Sequence, residues 1–311
     1  MSEGEWLRSY AEGLLRAGRL EEAEAVYLRL IEAYPENDSY LMALAWVYHD
    51  SGRLEEAIAC WEKLFEKELK RKIFTGFAFD ELVRIYKSRE MYDRLLEICE
   101  RACDAFPGEY SLLGDLAYAC HKTGWLERAV SIYRQMIDMD PEGIEAYLGL
   151  GNTLIALADY AGAEEAYGEA SRIDPEETAT FFSRLSDEYR RCGLSEKAEY
   201  AIRKSVAFDE SEPAYLLMLG DILIEGGRWQ EGWDAYEKAV SLRMEAAGSY
   251  YFRLGNTLAQ TNLPEQAVQA YKKALEQEQN PFYYLHLARV YVAMGEMDLA
   301  QEAVEKVKKG P

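Results

Sequence analysis

The sequence predicts an all-α solenoid, a line of stacked helix–turn–helix hairpins running through all 311 residues as one domain. Three observations predict it. Residues 144–177 carry two apolar stripes at helical spacing, Tyr147, Leu150, Gly151 and Leu154, then Ala163, Tyr167 and Ala170, with a break at Asp159-Tyr160 between them. The 34-residue length of that unit recurs, separating Pro107, Pro141 and Pro175, Ala129 and Ala163, Tyr133 and Tyr167, and Gly193 and Gly227. Finally, small residues fill two columns of the repeat, and large aromatic ones face them.

Nine units follow in order: 4–37, 38–71, 76–109, 110–143, 144–177, 179–212, 213–246, 248–280 and 281–311. The first helix of a unit carries a small residue at position 8, as at Ala11, Ala45, Ala117, Gly151, Gly220 and Gly255. It stops at position 15, where Gly18, Gly52, Gly124, Gly193, Gly227 and Gly295 meet the need for a left-handed residue. Acid-rich words such as Leu20-Glu21-Glu22 and Leu54-Glu55-Glu56 open the second helix, where carboxylates complement the helix dipole. Small residues return at position 20 (Ala23, Ala57, Ala129, Ala163, Ala198, Ala267), so that the two helices of a hairpin approach closely. Position 24 takes Tyr27, Trp61, Tyr133, Tyr167, Tyr236 and Tyr271, and proline ends the second helix.

Two units depart from the pattern. Unit 3 has Val83 and Leu95 at the small positions and Glu90 where glycine is usual. Unit 2 lacks its proline, having Leu69 instead, and four extra residues, Lys72 to Thr75, follow it. This reads as a second helix prolonged by about one turn.

Composition narrows the function. A net charge of −21 opposes binding to nucleic acid or to an anionic membrane, either of which calls for a basic stripe. The five cysteines form no C-x-x-C pair, and buried reduced thiols are expected of them. MSEGEWLRSYAEG lacks the basic-then-apolar pattern of a signal peptide, and the longest apolar run, Leu41 to Tyr48, is short of the ~20 residues a membrane span needs. A cytoplasmic protein is expected. No phosphate loop is present: Leu148-Gly149-Leu150-Gly151 places a G-x-G inside a helix, where it cannot cradle a phosphate. The basic cluster Lys67, Lys70, Arg71 and Lys72 reads as a solvated helix end.

Small residues at 8 and 20, aromatics at 11 and 24 and proline at 32, held in register over nine units, resemble the tetratricopeptide repeat family. The resemblance implies a right-handed superhelix in which first helices line a concave groove through positions 2, 5, 6, 9, 12 and 13. Those positions hold ten bases and ten acids here, a groove of about zero charge in an acidic chain. They also hold Trp46, Phe77, Tyr118, Phe252 and Phe282, with Trp46 and Tyr118 the best candidates for exposed anchors. Asn152 and Asn256 share position 9 inside the identical word Leu-Gly-Asn-Thr-Leu, where an amide can pair with a peptide backbone or carboxylate. Chaperone-binding members of the family add a lysine at position 5 to clamp a terminal carboxylate. Leu148 and Phe252 stand there instead, so that clamp is incomplete. Many members also add a polar helix after the last unit, which KVKKGP does not supply. His49, His121 and His286 fall on groove positions. The first two are two units, on the order of 20 Å, apart, too far to share a metal.

The reading is a non-catalytic protein–protein interaction scaffold, with no cofactor or metal, that binds a partner peptide or helix through Trp46, Arg84, Tyr118, Asn152, Arg184, Arg253, Asn256 and Arg289. Reversing Arg184 and Arg253 together is expected to release the partner without loss of helicity. The alternative is a self-assembling scaffold that uses its ends or groove to form homo-oligomers.

Overall fold

The computed structural model describes residues 3–309, so the first two and last two residues of MSEGEW and KVKKGP lie outside the described residues. Its helices gather into two compact units, Met1–Gly149 and Leu150–Pro311. The first unit holds α1 (Glu3–Arg16), α2 (Leu20–Ala33), α3 (Asp38–Asp50), α4 (Leu54–Arg71), α5 (Phe77–Ser88), α6 (Tyr92–Ala105), α7 (Tyr110–Lys122) and α8 (Leu126–Met139). Helix α9 (Ile144–Ala156) carries the division between Gly149 and Leu150. The second unit continues with α10 (Tyr160–Ile173), α11 (Thr178–Arg191), α12 (Ser195–Phe208), α13 (Pro213–Glu225), α14 (Trp229–Leu242), a 3-10 turn (Met244–Ala246), α15 (Ala247–Gln260), α16 (Pro264–Gln277), α17 (Pro281–Met294) and α18 (Met297–Lys309). No strand occurs among the described residues.

Each hairpin closes for the reasons its sequence gives. All six position-15 glycines adopt positive φ, between 72° and 85°. Where glycine is missing, Glu90, Ala158 and Asn262 take the same left-handed conformation at φ 55°, 61° and 59°. An L side chain is strained there by roughly 1–2 kcal/mol. Ala11, Ala45, Ala117, Ala23, Ala57 and Ala129 are fully buried, at the two columns where the helices of a hairpin meet. In the weak third hairpin Leu95 is fully buried and Val83 is 7% exposed, so larger side chains serve the same crossing.

The position-24 rings fill the space between paired helices. A Cβ built on Gly151 lies 2.7 Å from the Tyr167 ring, one on Gly220 2.6 Å from Tyr236, and one on Gly255 2.6 Å from Tyr271. Glycine at position 8 thus makes room for the tyrosine. Gly149 serves the preceding hairpin in the same way, for its Cβ would lie 2.3 Å from Tyr133. The two glycines of Leu148-Gly149-Leu150-Gly151 are therefore sockets for two different rings.

Helix α4 has 18 residues against the 14 and 13 of α2 and α3, the expected extra turn, and stops at Lys72 in the left-handed region. The basic cluster at its end is more than a solvated terminus. Lys67 Nζ bonds Asp38 Oδ1 at 2.8 Å and the Pro35 carbonyl at 2.6 Å, and the Arg71 guanidinium pairs with Asp38 and Glu36. The extra turn extends far enough to pin the start of α3.

Candidate functional site

Three members of the predicted set lie in the first unit. Trp46 on α3 is half-buried, its ring edge-on to Trp61 (5.6 Å between centroids) and His49 (5.5 Å). Tyr118 on α7 is also half-buried, and its ring is flanked by the ammonium groups of Lys87 (4.7 Å) and Lys122 (5.5 Å). Lys87 in turn bonds Asp115 at 2.6 Å. Arg84 is exposed and engages Glu81 one turn away at 2.6 Å. Exposure among the anchor candidates is greatest elsewhere, at Phe282 (54%) and Phe77 (43%). The packing of Trp46 against Trp61 and the cover of two lysines over Tyr118 explain the difference.

The second unit carries the other five, and here the geometry sorts them. Asp221 on α13 is 4% exposed and acts as a hub. Its Oδ1 accepts from the Tyr236 hydroxyl (2.6 Å) and the Thr257 hydroxyl (2.7 Å), and its Oδ2 from Arg253 Nε (3.0 Å) and a terminal guanidinium nitrogen (2.5 Å). Arg253 is thereby tied to Asp221, although 43% of its side chain remains exposed. Reversing it would set a carboxylate against the buried Asp221, so Arg253→Glu is expected to cost stability as well as groove charge. Arg190 pairs with Glu225 across α11 and α13. Much of the predicted charge balance is resolved into such pairs.

Asn152 and Asn256 are held in a different way. The Tyr167 hydroxyl donates to Asn152 Oδ1 at 2.5 Å, and the Tyr271 hydroxyl to Asn256 Oδ1 at 2.7 Å. Burial pushes the Tyr271 phenol up to about 12, so it remains a donor at neutral pH. With one lone pair of the oxygen engaged, each amide still offers its NH2 group and a second acceptor site. The three position-9 to position-24 bonds span the same 15-residue interval (152/167, 221/236, 256/271). That pairing was present in the sequence as a recurring Asn/Asp…Tyr spacing.

Arg184 and Arg289 remain. Both are exposed, and neither makes a hydrogen bond or ion pair among the described residues. Arg289 and Asn256 come together on a cavity of about 380 Å³ between α15 and α17, which Gln260, Asn262, Tyr271 and His286 also line. His286 sits in an aromatic cluster, 4.7 Å from the Phe282 ring and 4.9 Å from Phe252. Burial, helped by the Arg289 charge, holds its pKa below the ordinary histidine value. Its partnership with Asn256 and Arg289 was not legible in the sequence, because it depends on how α17 seats against α15.

Of the thiols, Cys60, Cys99 and Cys120 are buried as expected, Cys103 is partly so, and Cys192 is exposed. Burial pushes Cys60 and Cys103 up to about 11.

Comparison with known proteins places this architecture. Models described as tetratricopeptide repeat match residues 11–64, 122–180, 217–284 and 283–309. The chain belongs to the tetratricopeptide repeat family. It is 22% identical over 317 residues to TPR repeat-containing protein YpiA of Bacillus subtilis (strain 168), covering 98% of this chain and 71% of that one. It is also 23% identical over 163 residues to Protein O-mannosyl-transferase TMTC1 of Homo sapiens, covering 51% of this chain and 18% of the relative. Among solved structures it is similar to that of MamA protein, at 22% identity and a TM-score of 0.40 over 54% of this chain and 92% of that one. No helix among the described residues is long and apolar enough to cross a membrane.

Proposed function

We propose that the protein is a non-catalytic adaptor that holds a segment of a partner protein against the first helices of its second unit. The segment is rich in acceptors: an acidic stretch whose carboxylates and carbonyls meet Arg289, the Asn256 amide and Arg184. The observation that carries this reading is the cavity between α15 and α17, where an exposed guanidinium with no ion pair among the described residues stands beside an amide that Tyr271 orients through its oxygen. Asn152 extends the contact surface of this unit, and Trp46, Arg84 and Tyr118 make a separate contact on the first unit in this reading. Arg253 supports the site through Asp221 and does not itself touch the partner. Five free thiols, three of them buried, suit a reducing compartment such as the cytoplasm. The test is partner capture with Arg184→Glu combined with Arg289→Glu. Release of the bound protein at unchanged circular dichroism is expected, and undiminished capture would remove these two residues from the site.

A second reading, self-association, is favoured by α1. Tyr10 is 45% exposed, whereas its register counterparts Leu44, Leu82, Leu116, Leu150 and Leu185 are at most 8% exposed. Trp6, 53% exposed, stacks on Tyr10 at 5.6 Å. A mass that rises with concentration in light scattering, and falls back in Trp6→Arg, is the result this reading expects. A constant mass near 35.6 kDa counts against it.

A further inference from the structure

A second cavity, of about 850 Å³, opens between α17 and α18. Leu285, Ala288, Arg289 and Val292 line it from the first helix, and Ala300 and Val304 from the second. A substitution within the repeat falls at this place. In the hairpins α9–α10, α13–α14 and α15–α16 a tyrosine lies over position 8 and donates its hydroxyl to position 9. The register equivalent of those tyrosines in the last hairpin is Val304, a smaller side chain on the cavity wall, whereas Cys99 and Ile202 at the same position in α5–α6 and α11–α12 are fully buried. Position 9 has changed as well, from Asn152, Asp221 and Asn256 to Arg289. An arginine offers donors and no acceptor, so the group arriving where a tyrosine hydroxyl would sit must accept. The surrounding surface is apolar and exposed, 41% at Leu285, 52% at Val292 and 62% at Met297. Asp298 lines the cavity too, and with Arg289 makes up its fully charged lining.

We propose that this cavity takes an aromatic side chain of a partner segment, with the carboxylate of a neighbouring acidic residue paired to Arg289. The ring restores the packing that a tyrosine supplies in α9–α10, α13–α14 and α15–α16, and the carboxylate supplies the acceptor that Arg289 requires. The inference deepens the adaptor reading and rests on it, since it names the aromatic-plus-acidic element that the partner would present.

The experiment follows methyl resonances of Leu285, Val292 and Val304 in the whole protein during titration with three capped dipeptide amides. These are acetyl-Phe-Glu-amide, acetyl-Leu-Glu-amide and acetyl-Phe-Gln-amide. Capping removes the terminal charges, so the side chains alone are read. Saturable shifts are expected with Phe-Glu, with roughly tenfold weaker binding when either the ring or the carboxylate is replaced. Val304→Tyr closes the cavity from within and should abolish the shifts of Leu285 and Val292. The chain already holds alanine and tyrosine together at these two register positions, in Ala11 with Tyr27 and Ala117 with Tyr133, all of them buried. Val304→Met is a milder closure and should weaken binding, and Arg289→Gln should erase the preference for Glu over Gln. Three results would overturn the proposal: no saturable shift, equal binding to Val304→Tyr, or a dimer that Val304→Tyr converts to monomer, which would make a second copy the occupant. These probes report on the cavity alone. If they fail while Arg184→Glu with Arg289→Glu still releases the partner, the adaptor reading survives.

Discussion

At the scale of the residue, the repeat is maintained by a few steric and polar exchanges. Gly149 faces Tyr133 so closely that an added methyl must displace the ring. Gly149→Ala should cost about 1–3 kcal/mol, measured as an earlier urea midpoint with helicity retained before the transition. The opposite sign is expected at Ala158, whose φ of 61° is a glycine conformation: Ala158→Gly should stabilise by about 1 kcal/mol. Asp221 is the most consequential polar residue of its unit. Asp221→Ala strands the Tyr236 and Thr257 hydroxyls and the Arg253 guanidinium, and should destabilise by about 2–4 kcal/mol. Asp221→Asn keeps the acceptor for Tyr236 and should cost less. The sequence showed the small columns and the glycine stops directly, because each is a one-residue steric demand. It showed Asp221 as one groove acid among ten, because its burial depends on three partners from two other helices.

Among the elements, ion pairs couple helices that hairpin packing alone would leave less firmly registered. Glu199 on α12 pairs with Arg203 on the same helix and with Arg228 just before α14. Burial raises the Glu199 pKa, but the two guanidinium groups outweigh it and hold the carboxyl below the usual range. A carboxyl with a depressed folded-state pKa adds stability above its unfolded value, about 4.3, and loses it as pH falls through the folded value. Glu237 follows the same rule. Burial raises its pKa, and the hydrogen bonds from Lys273, Tyr251 and Trp233 overcome that effect. The second unit should therefore lose stability on acidification below about pH 4.3, and Glu199→Gln should flatten part of that slope. A denaturant midpoint measured at intervals from pH 7 to pH 3 reads both effects. The prolonged α4 is the element whose length was plain from the missing proline and the four-residue insertion. Its purpose was not, since the basic residues reach Asp38 only because α3 starts beside the added turn.

For the whole molecule, two compact units of stacked hairpins imply nearest-neighbour stability, because each hairpin rests on the ones beside it. Unfolding should follow suit, with Gly149→Ala shifting the transition of Met1–Gly149 more than that of Leu150–Pro311 in residue-resolved hydrogen exchange. A single transition shifting equally at every residue would show that the array unfolds as one cooperative block. The net charge of −21 belongs to this scale as well. Balanced pairs occupy much of the first-helix face, so the excess acidity is carried elsewhere on the surface, where it favours solubility.

The tyrosine bound to each position-9 amide has one more consequence. Because the hydroxyl claims Oδ1 of Asn256, the residue works like a plug wired on one side, with its outward polarity set by a single atom. Asn256→Asp would satisfy Tyr271 equally while turning the outward face from hydrogen-bond giving to hydrogen-bond taking. The chain already contains that inverted setting at Asp221, where the outward oxygen recruits Arg253. A surface assembled from such plugs can change what it recognises by one isosteric exchange per hairpin, leaving the helices that carry it undisturbed.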